Sequence, residues 1–394
     1  MPGAPLTAAA RGYGRCRTAR MDFPTEPPVG AHVVDATMFW SATSGGVRRY
    51  LRAKGRWMAH HEAWRHTIAA PAPSDPSVQP LPGVALPGSG GYRLPWQRTA
   101  LSERLAQLSP DLIEAGDPYR LAWAALDAGQ RCRIPVVAFC HSNIERLAAT
   151  LAGPRLARLA AGAARRYAGH LYREFDLVFA PSEAMREHLL DWGVPRVVHQ
   201  PLGVDTTVFH PSRADPAWRA SLGLPEGTRL LVYAGRFAPE KNLDVLCAAV
   251  DRLGPRHVLL ALGAGPTPPP RGDRVIVRPF VGDSTQLATV LASADAFVHA
   301  GNQETFGLAA LEAMACGTPV VACACEGLAE LVDASVGMPV HLCEADAFAQ
   351  AITALFTRDR IARAMAARRR AEAHDWRQVL PALAGHYRSL LRQP

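Results

Sequence analysis

The chain has 394 residues, 48% apolar and 20% charged, a globular composition with room for two domains of roughly 170 to 200 residues rather than one. No uninterrupted apolar run approaches the roughly 18 residues of a membrane-spanning helix, and Arg11, Arg15, Arg17 and Arg20 break up the region where a secretory signal would lie. The net charge of +8 sits wholly in residues 1–200, because residues 201–394 hold 19 basic and 19 acidic side chains.

Residues 1–30 carry Pro, Gly, Ala and Arg without hydrophobic periodicity and read as a disordered leader, with Met21 an alternative start. Strand-like runs then alternate with helical segments: AHVVDATMF, PDLIEAG, IPVVAFCH, FDLVFAPS and RVVHQPL in the first half. Residues 71–91, rich in Pro, Ser and Gly, read as a loop or a poorly ordered insertion. The loop-like stretch PLGVDTTVFHPSRADP intervenes, and the rhythm resumes with RLLVYAG, HVLLALGAG, DRVIVRPF, ADAFVHAG, TPVVACA and SVGMPV. Such alternation predicts parallel, doubly wound α/β sheets. Two series predict two Rossmann-like domains, 31–204 and 205–375, with a cleft between them as the default site. Residues 376–394 read as an amphipathic terminal helix, placed to pack back on the first domain.

Three stretches carry chemistry. In SGGVRRYL, Gly45 and Gly46 stand between strand and helix, where a bare backbone can approach phosphate. Neither a G-x-G-x-x-G nor a G-x-x-x-x-G-K-[ST] pattern accompanies them. In GRFAPEKNLDVL, Arg236 and Lys241 project from a short loop above a helix start, two cations suited to a diphosphate. Lys241 stands out because the chain has only one other lysine, Lys54. In GNQETFGLAALEAMACGTPVV, Thr305 or Asn302 can cap a helix, and Gly307 allows close backbone approach. Glu304 precedes that helix, and Glu312 lies about two turns in. Carboxylates accept from vicinal hydroxyls, which suits Glu304 to a hexose and Glu312 to a ribose. The competing readings are a helix-dipole partner for Glu304 and a solvated face charge for Glu312. The eight cysteines read as small thiols rather than a metal centre, since Cys323-x-Cys325 has no second ligand pair at zinc spacing.

GRFAPEKNLDVL together with FVGDSTQLATVLASADAFVHAGNQETFGLAALEAMACGTPVVA resembles the retaining nucleotide-sugar glycosyltransferases of family 4, which have the GT-B fold. Glu304 to Glu312 fits their E-x7-E element, and SGGVRRYL, FCHSN and PLGVDTTVFHP fit their first half. The resemblance covers about residues 31–380 and is diffuse from 60 to 110. It implies that Arg236 and Lys241 bind the donor diphosphate and that the Gly45–Gly46 loop closes over it. It implies Glu312 on the ribose and Glu304 on the transferred sugar, with Thr305 and the main-chain N–H groups of Phe306, Gly307 and Leu308 beside them. The backbone at Phe280 and Val281 would meet the base, and His141 would touch the sugar from the opposite domain. The family needs no cofactor; the nucleotide-diphosphate sugar is a substrate. No D-x-D motif lies near the donor loops, which fits a metal-independent site.

The acceptor is read from the first half. Residues 146–173 hold Arg146, Arg155, Arg158, Arg165, Arg166 and Arg173 and no acid, with Leu and Ala between. A basic amphipathic face suits an anionic membrane, and implies a cytoplasmic enzyme peripheral to the inner face, acting on a lipid such as diacylglycerol. A solvated basic helix is the competing reading. Asp117, at a strand end, is a candidate acceptor-side residue or else a cap for the following helix. No aromatic interleaving or reader motif supports nucleic acid as a partner. A soluble or polysaccharide acceptor, a GT-B epimerase and a non-catalytic nucleotide-sugar sensor are the alternative functions.

Overall fold

A computed structural model describes residues 30–41, 45–72, 75–86, 91–357 and 359–392. The expected leader, apart from residue 30, lies outside the described residues, as does Ser44 of the Gly-Gly loop.

The first half contains β1 His32–Ala36, α1 Gly46–His61, β2 Arg65–Ala70, β3 Gln79–Pro80, β4 Gly83–Ala85, β5 Arg93–Pro95, α2 Arg98–Gln107 and β6 Leu112–Ala115. It continues through α3 Arg120–Cys132, β7 Val136–Phe139, α4 Ile144–Tyr172, β8 Leu177–Ala180, α5 Glu183–Asp191 and β9 Val197–His199. Among the described residues these form a sheet ordered β3-β2-β1-β6-β7-β8-β9, with every pairing parallel. β4 and β5 form a separate antiparallel pair. Parallel strands covered by helices on both faces are mostly apolar; β6, β7 and β1 are buried end to end, with His32, Asp35 and Glu114 their polar exceptions.

The second half runs α6 Pro216–Ala220, β10 Arg229–Ala234, α7 Leu243–Leu253, β11 His257–Leu262, β12 Val275–Arg278, α8 Ser284–Ala292 and β13 Ala296–His299. Then come α9 Leu308–Ala315, β14 Val320–Cys323, α10 Glu326–Leu331, β15 Gly337–Val340, α11 Ala345–Phe356, α12 Arg360–Glu372 and α13 Trp376–Leu391. Its sheet is ordered β12-β11-β10-β13-β14-β15 among the described residues, again parallel throughout. Each half is thus a Rossmann-like layer structure, as the alternating pattern predicts.

The stretch expected to be a loop differs in part. Within 71–91, β3 joins the first sheet and β4 pairs with β5, while 73–74 and 87–90 lie outside the described residues. β2 is also new, because its first residues are polar. His66 meets Asp35, and Thr67 Oγ1 lies 2.8 Å from His32 Nε2.

The two halves meet along paired crossings. Val204 N donates to His374 O at 2.9 Å and Trp376 N donates to Val204 O at 3.1 Å, so the outgoing linker and the returning chain lie side by side. α13 then reaches the first domain. Tyr387 donates its hydroxyl to Glu114 Oε2. Buried Lys54 donates to Asp35 at 2.5 Å, to Glu114 at 2.9 Å and to the Tyr387 oxygen at 3.2 Å. A buried ammonium is tolerable only when paired and hydrogen-bonded in this way.

Candidate active site

A cavity of about 360 Å³ lies between the two domains. The first domain supplies Gly45, Gly46 and His141 to its wall, and the second supplies Arg236, Lys241, Phe280, Val281, the run Glu304–Leu308, and Glu312. It opens beside a second cavity of about 590 Å³ that follows α1 to Arg52 and Arg56 and shares Gly45, Arg49, Phe280, Leu308 and Glu312 with the first.

Two helix N-termini converge here. α1 begins at Gly46 with Gly45 as its N-cap, and α9 begins at Leu308 with Gly307 as its N-cap. Neither start has a side-chain cap, so the first N–H groups of both keep their affinity for an anion. A Cβ at Gly46 would lie 2.9 Å from Leu308 Cδ1, which measures how closely the Gly-Gly loop approaches the second domain. Gly307 has φ +98°, and a Cβ there would lie 2.5 Å from Leu328 Cδ2. The late helix start corrects two expectations. Neither Thr305 nor Asn302 is the cap; the Thr305 hydroxyl instead donates across the cleft to His141 O at 3.0 Å. Glu312 therefore lies one turn into α9, not two.

Glu304 accepts from Lys241 Nζ and lies 3.1 Å from His299 Nε2. The Gly301 N–H donates to His299 Nδ1 at 3.1 Å, which leaves the ring proton on Nε2, facing Glu304. Burial pushes the Glu304 carboxyl up, but Lys241 and His299 together outweigh it and hold the group far below the ordinary range. The helix-dipole alternative for Glu304 fails, because its partners are these two side chains. Arg236 is half exposed and pairs with Glu240 at 2.6 Å.

Glu312 is buried, which excludes the solvated-face reading. Arg49 Nη1, from α1 on the opposite domain, reaches its two oxygens at 2.7 and 2.9 Å. Burial raises the Glu312 carboxyl above its ordinary range, and Arg49 offsets only part of that rise.

His141 stacks on Phe139, with ring centroids 4.5 Å apart. Its buried Nε2 has no hydrogen-bond partner among the described residues. Burial, with Lys54 nearby, pushes the imidazole down to about 3, so it is neutral at physiological pH. Asp117 does not stand in the cleft. It is buried, and its carboxylate accepts from Met38 N at 2.7 Å and Tyr119 N at 3.1 Å, so backbone N–H groups occupy both oxygens.

Two site residues escape the sequence reading. His299 ends β13, within the run ADAFVHAG, and a polar ring closing an apolar strand is its signal. Arg49 lies inside SGGVRRYL, and nothing local distinguishes it from Arg48.

The basic stretch is α4, which breaks at Gly153 (φ 69°, ψ 172°) and Pro154. Arg146 is taken up by Glu326 at 3.1 Å and Asn302 O at 2.7 Å. Arg165 and Arg173 bond the carbonyls of Asp191 and Gly193 at 2.8 Å each. Arg155, Arg158 and Arg166 remain without a hydrogen bond or ion pair among the described residues, beside Leu151, Leu156 and Leu159, which are 78%, 56% and 73% exposed. Among the described residues no helix is long and apolar enough to cross a membrane.

Comparisons with known proteins agree with this architecture. The profile of Glycosyltransferase Family 4 matches residues 44–208, and that of Glycosyl transferases group 1 matches 228–358. A GDP-mannose-dependent alpha-(1-6)-phosphatidylinositol dimannoside mannosyltransferase of Mycobacterium tuberculosis is 31% identical over 88% of this chain and 93% of its own length. A GDP-mannose-dependent alpha-mannosyltransferase of Mycolicibacterium smegmatis is 30% identical over 85% and 92%. Among solved structures, a sucrose-phosphate synthase from Thermosynechococcus elongatus superposes with a TM-score of 0.74 at 22% identity, covering 92% of this chain and 99% of its own. Anabaena HepE in complex with UDP and glucose gives 0.72 at 20% identity, covering 92% and 100%. Two Rossmann-like domains around a shared cleft, with relatives matched over almost their whole length, make this chain a member of the family 4 glycosyltransferases, with the GT-B fold.

Proposed function

We propose that the chain transfers mannose from GDP-mannose to a hydroxyl of a membrane lipid, forming an α-linkage with retention at the anomeric carbon and without a metal ion. One observation carries the reading: Arg236, Lys241, two uncapped helix starts and the carboxylates of Glu304 and Glu312 share one interdomain cavity. Mannose and guanosine enter through the relatives, whose names specify GDP-mannose.

In this reading the donor diphosphate lies on the two helix starts, with Arg236 and Lys241 beside it. These groups are fixed before the reaction and stabilise the charge that grows on the departing diphosphate. Glu304 stays ionised, so it accepts from sugar hydroxyls and has no proton to give. It is not assigned as a nucleophile. The bond from the anomeric carbon to the phosphate oxygen breaks, and a bond to the acceptor oxygen forms on the same face. The acceptor proton passes to the leaving phosphate. Glu312 takes the ribose diol, and the backbone at Phe280 and Val281 meets the base. The N–H groups of Phe306, Gly307 and Leu308, the Thr305 segment and neutral His141 surround the sugar.

The lipid acceptor rests on the broken helix α4. Exposed leucines interleaved with unpaired arginines suit insertion at an anionic headgroup layer, and one relative carries phosphatidylinositol dimannoside in its name. The test is incubation of the full chain with radiolabelled GDP-mannose and vesicles containing phosphatidylinositol or its mannosides. An α-mannosylated lipid is the expected product. Transfer only to water-soluble acceptors would discard the lipid, and an epimerised sugar released without any acceptor would discard transfer itself.

A further inference from the structure

Arg49 lies one turn after the Gly-Gly loop, on the domain opposite Glu312. A single nitrogen, Nη1, spans both carboxylate oxygens at 2.7 and 2.9 Å. No other hydrogen bond reaches that carboxylate among the described residues, and it is only 3% exposed.

The other charged or titratable groups around α9 are engaged elsewhere. Arg368 of α12 donates to the carbonyls of Ala315 at 2.6 Å and Phe209 at 2.8 Å and to Glu372 at 2.8 Å. Asp283 caps α8 by accepting from Thr285 N and Gln286 N. His299 of β13 faces Glu304. The Cys316 thiol points to Ala288 O, and Cys323 lies at the end of β14. On α1 itself, Arg48 and Arg52 lie over the Trp40 ring. Arg49 is therefore the cation that balances Glu312.

A carboxylate this deeply buried takes up a proton unless a cation compensates it. An ionised carboxylate offers about four acceptor positions. Arg49 approaches along one edge, which leaves positions for two hydroxyls. A protonated Glu312 would become a weaker acceptor with one position spent on its own hydrogen.

We infer that Arg49 is a positioning residue for the donor: it keeps Glu312 ionised and oriented to receive the ribose diol. Because Arg49 and Glu312 belong to different domains, this anchor is complete only when the cleft is closed. The inference rests on the ribose role proposed for Glu312.

The experiment measures GDP affinity by calorimetry between about pH 5 and 9, with donor KM and kcat, for the full chain carrying R49Q, R49K, E312Q or R49Q/E312Q. R49Q is expected to weaken GDP binding about ten- to a hundredfold at neutral pH, the range for a lost hydrogen bond to a charged group. It should raise donor KM while kcat stays within about threefold, since the interaction is made equally in ground and transition states. The pH below which GDP binding fails should move upward in R49Q and return toward that of the unsubstituted chain in R49K. The double variant should bind no more weakly than E312Q. Should R49Q unfold, the position of the acidic limit in R49K against the unsubstituted chain decides the same point. Unchanged GDP binding and an unmoved acidic limit in R49Q, with E312Q weakened, would overturn the inference and leave the ribose role standing. Unchanged binding in E312Q would overturn both.

Discussion

The Lys241 ammonium donates to Glu304, and His299 Nε2 lies 3.1 Å from the same carboxylate oxygen. One cation thus pairs with a carboxylate that lines the interdomain cavity; in the proposed function the sugar lies at that carboxylate and the diphosphate beside that cation. Lys241→Ala and Glu304→Gln should each lower kcat by roughly a hundredfold or more, the scale for removing one fixed electrostatic contact from a transition state. Circular dichroism should show both variants folded. Near-normal turnover in either variant would mean the diphosphate and sugar lie elsewhere.

The imidazole of His141 is held neutral by burial, down to about 3, whereas in the unfolded chain it titrates near its ordinary 6.5. Between those values the unfolded chain binds a proton that the folded chain does not. Its contribution to stability is therefore fully present above about pH 6.5 and falls as the pH drops toward 3. Lowering the pH from 7 to 5 should remove on the order of 2 kcal/mol through this residue. Urea unfolding of the chain and of His141→Phe at several pH values checks this, with the variant expected to lose that part of the slope.

Gly307→Ala should destabilise the chain by about 1 to 3 kcal/mol, the usual strain of a side chain forced into the left-handed region. The new methyl group would also meet Leu328. Because Gly307 is the N-cap of α9, donor affinity should fall together with thermal stability. A variant that keeps its Tm and its donor KM would show that α9 can start without this geometry.

Replacing Arg155, Arg158 and Arg166 together with glutamine should lower binding to anionic vesicles by more than a hundredfold, at about 1 kcal/mol per basic side chain near the surface. Leu151, Leu156 and Leu159 to serine should weaken it as well, with less salt dependence. Sedimentation with phosphatidylinositol-containing vesicles at two salt concentrations separates the two terms. Unaltered pelleting in both variants would leave α4 as a solvated surface helix.

The strands around both domains' cores were readable because a parallel sheet buried on both faces needs continuous apolar runs, and VVAF of β7 or HVLLAL of β11 has no other comfortable place. β2 was hidden because Arg65, His66 and Thr67 look like a loop until Asp35 and His32 are seen beside them. Glu304 and Glu312 stand out in the sequence because a carboxylate next to or inside an apolar run needs a partner, and each has one. The partner of Glu312 was not legible: Arg49 and Glu312 are 263 residues apart, and only the packing of one domain on the other selects Arg49 over Arg48. Asp117 misled in the opposite direction. At a strand end it has the look of an available carboxylate, yet the nearby backbone amides claim it. Thr305 looked like a cap because the sequence does not reveal that the helix waits for Gly307.

Tyr387 caps the charge cluster of Lys54, Asp35 and Glu114 from 273 positions downstream of Glu114. During synthesis the amino-terminal sheet can therefore assemble long before its last hydroxyl leaves the ribosome. Until then Glu114 lacks one of its donors. Completion of the first domain must come after the second has been made, because the hydroxyl that closes its charge cluster follows the second sheet in the chain.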